Sequence, residues 1–258
     1  MSSLVYVYAI AAAQTRTGVH GINGASVRWL HADGLYAAVS NVPEEEFGEQ
    51  QLNAGVTDMT WLGPRALAHQ EVNRQLHEAA EALIPLAFGT VFRDDARVQA
   101  MLREQRTSLG ERLERVRGCS EWVVAVHRVA KPDTGQSSAV QALQQQIADA
   151  APGRAHLLRK RLADVERDAA REAERDAVGR VEQALRGMAR EVYAEPVPSD
   201  TLDRPLLRAS VLVNRAREKE FVAAIDGLQT SWYQVLLTGP WPAYRFAGLE
   251  QQRVTATS

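Results

Sequence analysis

The sequence predicts an α+β protein of two domains, the second ferredoxin-like, with a long charged helix between them or packed across them. Three observations lead there. Short runs of β-branched and aromatic residues, punctuated by Gly and Pro, alternate with stretches whose apolar residues recur every three or four positions. A segment rich in Pro, Gly and Ser, Lys131 to Ser138, interrupts the chain near its middle with nothing apolar to pack. The last part of the chain then reads strand, helix, strand, at a spacing that suits a split βαβ unit. The expected domains are 1–130, an N-terminal α+β domain, and 139–258, a helical segment plus the ferredoxin-like domain.

Residues 4–10, 26–31 and 34–40 read as strands, with Asp33-Gly34 as a two-residue hairpin turn. Residues 41–53, containing Glu44-Glu45-Glu46, read as an acidic loop. A helix follows over about 60–83, capped by Asp58 or Thr60, with Val72, Leu76, Ala79 and Leu83 on one face and Pro85 ending it. Residues 88–92 form a short strand in this reading. A second helix over 95–117 aligns Val98, Leu102, Gln105, Leu109, Leu113 and Val116, and Gly118 stops it before a strand at Trp122 to Val126. A short helix over 139–150 runs into Pro152-Gly153 and the longest element, about 155–192. Leu158, Leu162, Val165 and Ala169, then Val178, Val181, Leu185, Met188 and Val192, give it an apolar stripe. At 1.5 Å per residue it is about 55 Å long, so it must dock along another domain or turn back near Gly179. Strands at 208–213 and 232–238 flank a helix over 215–228.

Composition removes several function classes. The 258 residues are 45% hydrophobic, enough for one large core or two modest ones, and the net charge of −2 gives no reason to expect nucleic acid or an anionic membrane. The apolar opening, Leu4 to Ala13, lacks a preceding basic residue and is too short to span a bilayer, so it reads as a buried strand and the chain as cytoplasmic. The single cysteine, Cys119, excludes an internal disulfide and a Cys-based zinc site. His69 and His77 stand about 12 Å apart along a helix, too far to share an ion, and read as a solvated face. Gly18, Gly21 and Gly24 lack phosphate-loop spacing, and there is no Walker lysine or G-x-S-x-G elbow. From Arg159 to Glu191 nine basic and eight acidic residues interleave, so no phosphate-tracking face emerges. No catalytic residue, metal ligand or cofactor site is expected, which favours binding or assembly over chemistry. The stripe on the long helix is either internal core or a groove for another helix, including that of a second copy.

Two stretches remain unusual. Leu83 to Phe92 holds Pro85, Phe88, Gly89 and Phe92 without one charge. Near the end, Leu237-Thr238-Gly239-Pro240-Trp241-Pro242-Ala243-Tyr244-Arg245-Phe246 brackets a tryptophan between prolines. Because proline cannot donate to a ladder, Gly239-Pro240-Trp241-Pro242 is expected to leave the strand as a rigid turn. Trp241, Tyr244 and Phe246 either cap the second domain or present an apolar edge to a partner, and the same choice applies to Phe88 and Phe92.

Taken in order, four segments resemble the F/L family of gas vesicle accessory proteins. They are Ile84 to Phe92 (compare LP-x-RFGTVF), Glu121-Trp122-Val123-Val124-Ala125-Val126, Gly153-Arg154-Ala155-His156-Leu157-Leu158, and Leu237 to Phe246 (compare LTGPWPPY-x-F). The resemblance covers about residues 4–250, and the terminal segment is its most specific part. Three positions depart: Ala87 stands where the family usually has Arg, His156 where it has Tyr, and Ala243 where it often has Pro. The resemblance implies two α+β domains and a cytoplasmic assembly factor or minor structural protein, acting while the vesicle is built. Its implied partners are the small, very hydrophobic shell subunit and other accessory proteins; we expect the contact surface on the first domain, with Phe88 and Phe92 near it. A ferredoxin-like enzyme or cofactor-binding protein, and a self-associating scaffold, are the competing readings.

Overall fold

The computed structural model describes residues 2–15, 18–197 and 204–248. The chain divides into two compact units. The first holds residues up to Glu121, Asn214–Ala216 and the segment from Gly239 onward; the second holds Trp122–Val213 and Arg217–Thr238. The terminal segment, expected in the second domain, thus groups with the first unit. Residues 249–258 of that expected domain lie outside the described residues.

In the first unit, β1 (Ser3–Ala11) is buried from Val5 to Ala11 and carries the sheet. β2 (Arg28–Ala32) and β3 (Leu35–Pro43) form the expected hairpin, with Asp33 and Gly34 at φ 49° and 82°. Two positive φ values in succession are what a tight hairpin turn needs to match strand twist. The acidic segment is helical rather than a loop: α1 (Glu44–Phe47) and α2 (Glu49–Gly55) follow Pro43. Glu44, Glu45 and Glu46 fill the first turn of α1, where carboxylates meet the positive end of the helix dipole.

Next comes α3 (Met59–Ala79), capped by Asp58, whose side chain accepts from the Thr60 N–H. It ends four residues before the expected Leu83. Ala80 turns extended, and β4 (Leu83–Pro85) instead pairs with β1, Ile10 facing Ile84. β5 (Val91–Phe92) pairs with β1 as well, and the sheet order is β2-β3-β1-β4. The expected single helix over 95–117 is two, α4 (Asp95–Glu104) and α5 (Arg106–Val116), broken at Gln105. Gln105 was the one polar member of the expected apolar face. With the break there, Val98, Leu102, Leu109 and Leu113 are all buried without it.

Gly118, at φ 65°, turns the chain into β6 (Cys119–Arg128), which begins in the first unit and continues in the second. α6 (Ser138–Ala148) packs along α7 (Pro152–Met188), one unbroken helix of 37 residues, so Gly179 makes no turn. α7 stops before Val192. Ala189 turns extended and Val192 joins β7 (Glu191–Ala194), where its branched side chain suits the sheet opposite Val211. β8 (Leu207–Asn214), α8 (Glu218–Asp226) and β9 (Tyr233–Trp241) complete the second unit's elements. Its sheet order, β7-β8-β6-β9, puts β6 and β8 in the middle. The core joins Val124 and Val126 of β6, Val181 and Leu185 of α7, and Phe221 and Ile225 of α8. The rear half of the predicted stripe is therefore internal core.

Contrary to expectation, β9 runs through Gly239-Pro240-Trp241. A proline without an N–H is tolerated because β9 is an edge strand of its sheet, where that donor has no partner to miss. The chain then turns into α9 (Tyr244–Ala247).

Candidate functional site

The two unusual stretches meet on one face of α3. Between β4 and β5 the segment Ala87-Phe88-Gly89-Thr90 makes a tight turn, closed by the Thr90 hydroxyl donating to the Ala87 carbonyl at 2.7 Å. Gly89 sits at φ 84°, left-handed backbone that a side chain disfavours, and a Cβ there would also press on Leu52 at 3.4 Å. The turn is fastened from beneath, since the Gly89 N–H donates to the Tyr6 hydroxyl at 2.9 Å. Ala87 is exposed at the turn, and Phe88, Phe92 and Gly89 are half-buried. Pro85 is buried.

Around Phe88 lies an aromatic cluster. Its ring centre is 6.1 Å from Trp61, 6.1 Å from Tyr6 and 5.8 Å from His69, and Phe47 joins Trp61 at 5.5 Å. The Arg65 guanidinium stacks 4.6 Å from the Trp61 ring and is anchored by Glu46 at 2.6 Å. Three apolar side chains stand open to solvent on the segment from the end of α2 into α3: Val56 (46% exposed), Met59 (73%) and Leu67 (67%).

His69 joins this cluster to the terminal motif. Its Nδ1 lies 2.9 Å from the Tyr6 hydroxyl and its Nε2 lies 2.9 Å from the Asn73 amide nitrogen, which also donates to the Tyr244 hydroxyl at 3.1 Å. A polar chain thus runs from Gly89 through Tyr6, His69 and Asn73 to Tyr244. Burial pushes the His69 pKa down to about 4, so the ring is neutral near pH 7. His77, one turn beyond Asn73, lies 3.1 Å from the Ser120 hydroxyl and 2.9 Å from Arg215. Burial first, and the Arg215 charge second, push it down to about 3.

Neither histidine lies on a solvated face, as the sequence reading had it. Both are buried, because α3 turns His69, Val72, Asn73 and Leu76 toward the sheet. The i,i+3 and i,i+4 spacing of these four was the available signal, and reading the histidines only as metal ligands hid it.

The terminal segment is pinned to the first unit. Pro242, Ala243 and Phe246 are buried, the Arg245 N–H donates to Glu121 at 2.7 Å, and Arg112 donates to the Gly248 carbonyl at 2.9 Å. Within the motif the roles divide: Phe246 is a core residue, Trp241 is 40% exposed, and Tyr244 is partly exposed with its hydroxyl on Asn73. Gly239 takes φ 146°. Trp122 stands apart from these residues, packed against Phe221 at 5.9 Å in the second unit's core.

Chemically, the arrangement is one of fastening and display. The buried histidines His69 and His77 have hydrogen-bond partners. An open groove of about 500 Å³ along α7 is lined by Arg171, Glu174, Arg175, Val178, Gly179, Glu182 and Leu206, with no nucleophile–base pair among them. Among the described residues there is no cluster of three His, Cys, Asp or Glu that could hold a metal, and no helix long and apolar enough to cross a membrane.

The family model described as gas vesicle synthesis protein GvpL/GvpF matches residues 4–248. The chain belongs to this family. Gas vesicle protein L of Streptomyces sp. (strain CB03234) is 33% identical over 272 residues, covering 98% of this chain and 96% of the relative. Gas vesicle protein F of the same strain is 30% identical, over 93% of this chain and 98% of its own length. The crystal structure of GvpF from Anabaena sp. PCC7120 matches with a TM-score of 0.69 at 18% identity, covering 96% of this chain and 99% of that one. GvpF from Microcystis aeruginosa matches with a TM-score of 0.64 at 20% identity, covering 95% and 99%. GvpL/GvpF members by sequence and GvpF structures by fold thus align with nearly the whole chain, and the span of the family model includes the terminal motif.

Proposed function

We propose that the chain is an assembly factor or minor structural protein of the gas vesicle that binds the small hydrophobic shell subunit during vesicle formation. Membership of the GvpL/GvpF family supports the setting. The observation that carries the finer reading is the apolar display on the first unit: a half-buried Phe88 on a fastened turn, beside Trp61, with Val56, Met59 and Leu67 open to solvent. Apolar side chains left open to solvent on the same unit as the turn suit recognition of another apolar surface. A small shell subunit needs its own apolar face covered until it enters the wall, or it aggregates. Tyr6 holds the Gly89 backbone in place, so little order has to be imposed on the turn when a partner arrives. In this reading the protein works in the cytoplasm at the growing vesicle, with other accessory proteins as further partners and without nucleic acid, membrane, metal or organic cofactor.

A pull-down with the purified shell subunit and several accessory proteins tests the reading. The shell subunit is expected to be retained by the wild-type chain and lost with Met59→Glu combined with Phe88→Ser. Retention of no vesicle protein by the folded wild type would refute it.

A further inference from the structure

The exposed side of α7 carries its charges in two blocks. Residues 154–161 hold four cations, Arg154, Arg159, Lys160 and Arg161, and no acid, while residues 162–176 hold six acids against three arginines. Counting the whole helix together conceals this polarity. Cations in the first turns oppose the helix dipole, so helix stability does not account for them.

Arg154, Leu157 and Arg161 lie on the same face as Asp168, Glu172 and Asp176, because the steps between them fall at turns of the helix. All six are exposed, Leu157 by 67%. Among the described residues Arg154, Arg161, Glu172 and Asp176 have no ion-pair partner, and Asp168 meets Arg171 only at 3.4 Å.

Such a face is complementary to itself. Two copies laid antiparallel, with a two-fold axis near Val165, bring Arg154 opposite Asp176 and Arg161 opposite Asp168, each twice. A two-fold interface must use one patch on both copies, and a patch with separated charge blocks satisfies that condition. A parallel pair would set like against like. We propose that α7 pairs antiparallel with α7 of a second copy through this charged face, forming a weak dimer that salt dissolves. The rear half of the helix's apolar stripe takes no part, since it is already core.

Sedimentation velocity of the full chain over a range of concentrations tests this. Screening shortens from about 10 Å at 0.1 M salt to about 3 Å at 1 M, so dimerisation is expected at low salt and at least about tenfold weaker at high salt. Arg154→Glu with Arg161→Glu, and separately Asp168→Arg with Asp176→Arg, should each give a monomer with an unchanged thermal melt. Mixing the two variants should restore a dimer containing one of each. A wild type that stays monomeric at low salt, a reversed variant that still self-associates, or a mixture that stays monomeric would each overturn the proposal.

Discussion

His69 and His77 set how the first unit responds to acid. Both hold their pKa below the ordinary value of 6.5, near 4 and near 3, mainly through burial. Below pH 6.5 the unfolded chain therefore binds more protons than the folded one. Their contribution is fully present above that pH and is lost as pH falls toward the folded values, at about 1.4 kcal/mol per pH unit for each ring. Urea midpoints should fall between pH 6.5 and 4.5, and His77→Gln should flatten that fall. A variant with the wild-type slope would contradict the assignment. The terminal aromatics separate in the same way. Phe246→Ala removes a buried ring and should cost about 3–5 kcal/mol, whereas Trp241, 40% exposed, should cost well under half of that. Thermal melts of the two variants on one preparation decide it; equal shifts would contradict the burial described. The sequence marked Trp241 and Phe246 as unusual but did not assign them opposite roles, because a ring between prolines reads the same whether its turn docks or is displayed.

At the scale of elements, α9 is held by the Arg245–Glu121, Arg112–Gly248 and Asn73–Tyr244 hydrogen bonds, all within the first unit. A double-mutant cycle of Asn73→Ala with Tyr244→Phe should show coupling of about 0.5–1.5 kcal/mol, and additivity would mean that their hydrogen bond contributes nothing. Elements with a strong local pattern were legible: β1 as an apolar run, the Asp33-Gly34 hairpin, the Asp58 cap, and α7 as one long helix. What was not legible depended on distant partners. Leu83 continues the helical spacing of α3, yet it gains more by pairing in the sheet with Ala11. Pro240 forbids a central strand, and only the sheet order reveals that β9 is an edge. His69 and Asn73 acquire a role only when Tyr6 and Tyr244 arrive from 63 and 171 residues away.

The whole molecule is a GvpL/GvpF family member whose mixed helix-and-sheet fold matches GvpF structures. Family membership came from short ordered motifs, and the fold explains part of their content. Gly89 supplies a left-handed turn, Pro85 is buried near it, and Tyr244 and Phe246 fasten α9. Of the other members, Ala87 and Trp241 are exposed and Phe88 is half-buried. Ala87 lies exposed at the turn, at the position where the resemblance leads one to expect Arg. The central claim is that the surface around Phe88 receives the shell subunit. Titrating purified shell subunit into wild type and into Met59→Glu/Phe88→Ser, with thermal melts of both, measures it directly. The account expects saturable binding to wild type and at least about a tenfold loss in the variant, equivalent to about 1.4 kcal/mol. Equal affinity for the two folded proteins would contradict it.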